Sequence, residues 1–166
     1  MLSADFTAML YDALREVVGS PQLTPKEQIP KLRAVLDSLT KELTRDEAAQ
    51  FTSLFSRCAF IVDHYLLPEE LAGEMHGLRM LANKVVHRMD FTPGERDLKA
   101  CVRALCLLLA FFSGRPVPGD LEGLYRPEEG LTLRRPGRRE PGETVPFMRA
   151  TVLSVGKIEE FQRKDG

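Results

Sequence analysis

Apolar residues recur at helical spacing through the first 113 positions, and the runs are separated by helix-start signals rather than hairpin turns. Phe6, Met9, Leu10, Ala13, Leu14 and Val17 line one face of a helix expected from about Asp5 to Val18, with Gly19 as its stop. Thr24-Pro25-Lys26-Glu27 has the form of a capping box with proline at the first helical position, and Pro30 is an alternative restart. The helix that follows carries Leu32, Val35, Leu36 and Leu39 inward. Thr44-Arg45-Asp46-Glu47 is a second box, opening a long helix with Phe51, Leu54, Phe55, Cys58, Ile61, Val62 and Tyr65 on its inner face. Pro68-Glu69-Glu70 begins a fourth, with Leu71, Met75, Leu78, Ala82, Val85 and Met89 inward. Thr92-Pro93-Gly94-Glu95 is a third capping box, beginning a fifth helix that carries Leu98, Cys101, Val102, Leu105, Cys106, Leu109 and Phe112. Five amphipathic helices with short connections predict an all-α, up-and-down bundle.

Proline and glycine divide this region from the rest. Residues 1–113 hold five Pro and four Gly, whereas residues 114–166 hold six Pro and eight Gly in less than half the length. Positions 114–145 read as an extended linker in which Arg134, Arg135, Arg138 and Arg139 crowd together. The run 146–155 is rich in β-branched residues, and Gly156 permits a turn into Lys157-Ile158-Glu159-Glu160-Phe161. Residues 146–166 therefore read as a β-hairpin, with too few strands to complete a β domain. Two explanations stand: the chain is the N-terminal part of a longer polypeptide with downstream domains, or the hairpin packs on the bundle or on another subunit.

Composition narrows the function classes. Charged residues make up 28% of the 166 positions but the net charge is −1, so any polyanion-binding surface must be local. No apolar run reaches the roughly 18–20 residues that span a bilayer, and the N-terminus lacks a signal-peptide pattern; a cytoplasmic protein without membrane contact is expected. Cys58, Cys101 and Cys106 lack CxxC spacing and are expected as buried free thiols. Cys58, His64 and His76 lack zinc-site spacing, and no phosphate-binding glycine loop occurs, so neither a metal nor another cofactor is expected.

The most informative stretch is Leu78 to His87. On a helix, Arg79, Asn83 and His87 stand at i, i+4 and i+8, forming one stripe about three turns tall. A guanidinium, an amide and an imidazole in line can hold a phosphate, orient a hydroxyl and move a proton. Taking the apolar centre near Leu71, Ala82 and Met89, Arg79 lies about 80° away, Asn83 about 120° and His87 about 160°. His76, at about 140°, joins the same strip, while Lys84 and Arg88 lie farther round. The strip is cationic and suits an anionic partner. Polar residues are also the default on the outer face of an amphipathic helix, so the stripe is equally an ordinary solvated surface.

Leu78-Arg79, Asn83 and His87, on the penultimate helix of a five-helix set and followed by a leucine-rich helix, resemble the HEPN superfamily, in particular its families with a Leu-Arg-x3-Asn-x3-His motif. The resemblance covers roughly residues 40–113. It implies a small helical bundle that pairs as a homodimer. Active members are metal-independent ribonucleases, and inactive ones are RNA-binding or interaction modules. His87 matches the family histidine and Asn83 the polar residue four before it. The family's catalytic arginine usually stands directly before that polar residue, where this chain has Ala82. Losing that cation removes stabilisation of the developing phosphorane charge.

The resemblance thus implies a non-catalytic accessory module, contributing dimerisation or contact with RNA or DNA at the front of a larger nucleic-acid-processing protein such as a helicase. His76, Arg79, Asn83 and His87, with Arg134, Arg135, Arg138 and Arg139, are its expected nucleic-acid-binding residues. The alternative is a metal-independent endoribonuclease of toxin or defence type, in which His87 moves the proton, Asn83 orients and Arg79 holds the phosphate. A second alternative is a bundle used only for protein–protein assembly.

Overall fold

The computed structural model describes residues 1–48, 50–126 and 130–133, and among these every regular element is an α-helix. They run α1 (Ala4–Val18), α2 (Pro25–Leu43), α3 (Leu54–His64), α4 (Glu69–His87), α5 (Glu95–Ser113) and α6 (Gly119–Tyr125). The hairpin expected over 146–166 lies outside the described residues.

Local chemistry accounts for most of the boundaries. The Ser3 hydroxyl accepts from the Phe6 amide at 3.1 Å and caps α1. The Glu27 carboxylate accepts from the Thr24 amide at 2.9 Å, closing the start of α2 as its box predicts. That hydrogen bond holds the Glu27 carboxyl below its ordinary range. Pro30 restarts nothing; it sits inside α2, which runs on to Leu43. The box expected at Thr92–Glu95 is shifted by two residues: Gly94 is the cap, and its amide donates to the Asp97 carboxylate at 2.9 Å to open α5. Gly114, at φ 71°, ends α5 in the left-handed conformation that glycine adopts freely.

The second predicted box is a correction. Thr44 ends α2 instead of starting a helix, because its hydroxyl donates back to the Thr40 carbonyl at 2.8 Å. The cap of α3 is Ser53, nine residues later by chain numbering, whose hydroxyl accepts from the Ser56 amide at 3.1 Å. The late start also changes the register: Leu54, Cys58 and Ile61 are buried, whereas Phe55 is 52% exposed.

Helix α5 forms the spine of the core, burying Leu98, Cys101, Val102, Leu105, Leu108, Leu109 and Phe112. Helices α1, α2, α4 and α6 pack on it, and α3 packs on α2 and α4. The three cysteines are free and buried. Burial pushes the Cys58 thiol up to about 11 and the Cys106 thiol up to about 12. No described helix is long and apolar enough to cross a membrane.

The stretch expected as a linker belongs in part to the bundle. Helix α6 buries Leu121 and Tyr125, an i, i+4 pair, and Leu131 is buried beyond it. Asp120 on α6 accepts from Arg15 on α1 through both carboxylate oxygens, at 2.8 and 3.1 Å. This fork keeps the Asp120 carboxyl below its ordinary range and raises the Arg15 guanidinium. Residues 130–133 lie along α4. There the Leu133 amide donates to the Glu74 carboxylate at 3.3 Å, and the Gly77 backbone comes so close that a Cβ would stand 2.8 Å from the Leu133 Cβ.

Candidate nucleic-acid interface

Helix α4 has two different halves. From Ala72 to Leu78 it is buried on every side, including Glu74, whose carboxylate pairs with Arg103 of α5 at 3.1 Å. From Arg79 onward only Ala82 and Val85 are buried, and the remaining side chains are partly or fully exposed. Arg79, Asn83 and His87 all fall in this second half, within one continuous helix as their spacing predicts.

The structure gives each a different setting. The Arg79 guanidinium lies over the Phe55 ring, 4.8 Å from its centroid, as a cation–π pair between α4 and α3. The Asn83 Oδ1 accepts from Nε of Arg33 on α2 at 3.1 Å. A guanidinium only donates, so this bond turns the amide oxygen toward α2 and leaves the NH₂ group as a donor for another acceptor. His87 is the last residue of α4 and is exposed.

His76 departs from the predicted strip. It is 5% exposed, with its ring centroid 6.1 Å from that of Phe55. A single apolar face does not describe this part of α4, because every residue from Ala72 to Leu78 is buried whatever its angle. Helix α4 packs on α2, α3 and α5, and with that whole stretch buried no side is left there for a solvated strip. Arg134, Arg135, Arg138 and Arg139 lie outside the described residues.

Two further arginines complete the surface. Arg57 on α3 donates through Nε to the Thr40 hydroxyl at 3.2 Å and through a terminal nitrogen to Asp37 on α2. Asp37 also pairs with Lys41 at 2.9 Å, so one carboxylate is shared by two cations. Arg33 reaches across from α2, and among the described residues its two terminal nitrogens meet no acceptor. Burial raises the Cys58 thiol, and the charges of Arg79, Arg57 and Arg33 oppose that rise while Asp37 adds to it. Arg33, Arg57 and Phe55 carry no spacing signal, since each belongs to a different element from the stripe. Only contact between helices reveals them.

Farther round, Lys84 stands 4.2 Å from the Phe91 ring centroid and Arg88 pairs with Asp90 at 3.5 Å. His64 stacks on Phe60 with centroids 5.0 Å apart. Among the described residues no group of three or more His, Cys, Asp or Glu side chains is placed to hold a metal ion. A separate groove of about 600 Å³ between α1 and α2 is lined by Met9, Ala13, Val17, Leu23 and Val35, which accounts for Met9 facing outward.

Chemically, α2 and α4 bring together the Arg33 and Arg79 guanidinium groups and the Asn83 amide, with an exposed imidazole at the end of α4, while Arg57 and Lys41 are paired with Asp37. Compared with protein-family models, with curated proteins and with solved structures, the chain matches none.

Proposed function

We propose that the bundle is a non-catalytic, HEPN-like module that contacts nucleic acid through the face shared by α2, α3 and α4, within a larger nucleic-acid-processing protein such as a helicase. The observation that carries this reading is Arg33 of α2 bound to Asn83 of α4, with Arg79 one turn earlier on the same helix. In a chain of net charge −1, two guanidinium groups on neighbouring helices supply a local cationic surface suited to a phosphate backbone. The module works as a homodimer in the cytoplasm, and Ala82 in place of the family's arginine supports the non-catalytic assignment.

Purified protein incubated with labelled single-stranded RNA and DNA in EDTA tests this. A gel shift that weakens steeply with salt, without cleavage, is expected, and Arg33→Ala should flatten the slope by roughly one phosphate contact. A salt-independent shift, or none, overturns the reading. The exposed His87, one turn beyond Asn83, favours one alternative, a metal-independent endoribonuclease. Cleavage in EDTA by the wild type and its loss in His87→Ala would establish that activity instead.

A further inference from the structure

We infer that α4 and α5 carry a docking slot for a short Leu-x-Leu segment, filled here by residues 130–133, and that the same segment of a second copy of this chain takes their place when two copies meet. The inference is independent of the nucleic-acid reading and rests on the homodimer proposed with it, to which it gives a contact.

The slot is built into α4. Gly73 and Gly77 lie one turn apart on the enclosed half of the helix, and both are buried. The missing side chain at Gly77 leaves room for the Leu133 Cβ, which stands 2.8 Å from where a Cβ on Gly77 would be. Glu74, 3% exposed, uses both carboxylate oxygens. Oε2 pairs with Arg103 of α5 at 3.1 Å, and Oε1 accepts from the Leu133 amide at 3.3 Å. Arg103 thus steadies the carboxylate, whose other bond is to main chain and is open to any residue but proline. Selectivity comes from Leu131. The Thr132 amide donates to the Gly130 carbonyl at 2.9 Å, closing a γ-turn that has Leu131 at its apex, 4% exposed. Thr132 is exposed, and Gly130 lies against α5, where a Cβ would stand 3.0 Å from a terminal nitrogen of Arg96. These contacts all come from four consecutive residues, so a second copy carries the identical set. Exchange of an identical element is a low-cost route to a dimer. Docking within one chain is independent of concentration, whereas exchange gains with it.

Small-angle X-ray scattering over a concentration series tests this on two full-length variants, each first shown to be folded by circular dichroism. Leu131→Asp spoils the segment and keeps the slot; Gly77→Ala narrows the slot and keeps the segment. Each alone should dimerise less than the wild type, and an equal mixture should form a one-to-one heterodimer. A dimer of Leu131→Asp equal to that of the wild type leaves the homodimer standing and overturns exchange as its basis, and a wild type monomeric throughout overturns both. A second arm needs only Leu131→Asp, or Leu131→Ala should the aspartate variant fail to fold. A capped peptide of residues 130–133, at ten times its dissociation constant, should raise the melting temperature by about 3–6 °C. The same peptide with both leucines replaced by alanine should not. A folded variant without that rise overturns the slot, and the rise without a heterodimer overturns the second copy as its occupant.

Discussion

Gly77→Ala should destabilise the protein even though alanine is the better helix former. In α4 the new Cβ would stand 2.8 Å from the Leu133 Cβ and 2.9 Å from the Leu133 carbonyl carbon. Backbone lies on that side, so the contact is relieved only by lifting residues 130–133 off the helix. Undocking forfeits the burial of Leu131, about 2 kcal/mol. It also breaks the Leu133–Glu74 hydrogen bond, about 1 kcal/mol. Alanine's helix preference returns about 1 kcal/mol, and freedom regained by the released residues trims the loss further. A net destabilisation of about 1–2 kcal/mol is expected from urea unfolding. Hydrogen exchange should locate it, with the Leu133 amide losing protection before the amides of α5. Gly123→Ala is the control: nothing lies within 4 Å of its added Cβ, inside α6, so the same exchange should stabilise by up to about 1 kcal/mol. Equal stabilisation by both substitutions would refute the close approach of Leu133 to α4.

Two other outcomes follow from local geometry. Leu66 stands at φ 52° with 84% of its surface exposed, so Leu66→Asn removes left-handed strain without losing burial and should stabilise by about 0.5–1 kcal/mol in thermal melting; a loss would contradict that backbone conformation. Asp120 has a folded-state pKa held down by Arg15, so its contribution is present above the unfolded value of about 3.9 and is lost as pH falls through the folded one. The melting temperature should therefore drop on acidification below about pH 4, and Asp120→Asn should make that drop shallower; an unchanged acid limb would show that the α1–α6 fork does not couple to folding.

The helical bundle was legible because its signals are local. Apolar spacing, the Gly19 stop and the Thr24–Glu27 box each act within one turn of chain; the box closes as expected, and Gly19 ends α1, though at φ −88° and not in the left-handed conformation. Thr44 shows where such signals fail. A threonine hydroxyl can serve either end of a helix, and its bond to the Thr40 carbonyl, unpredictable from spacing, decides for the end of α2. Helix α6 was hidden by its surroundings: two buried residues a turn apart are too few to stand out among prolines, glycines and arginines. The stripe on α4 was legible as a stripe, because i, i+4 geometry belongs to the helix alone. What surrounds it was not. His76 is buried because α4 is enclosed from Ala72 to Leu78, and Arg33 and Phe55 reach the stripe only through packing of α2 and α3 against α4.

The division of α4 into an enclosed half and an open half separates what the bundle needs from what its surface can become. Changes between Ala72 and Leu78 would be felt in the packed core, whereas the exposed Val86 and His87 can be exchanged with little consequence for packing. One rod of nineteen residues thus serves as both keystone and signboard: its inner end holds the arch together, and its outer end can be repainted for a new partner while the arch stands.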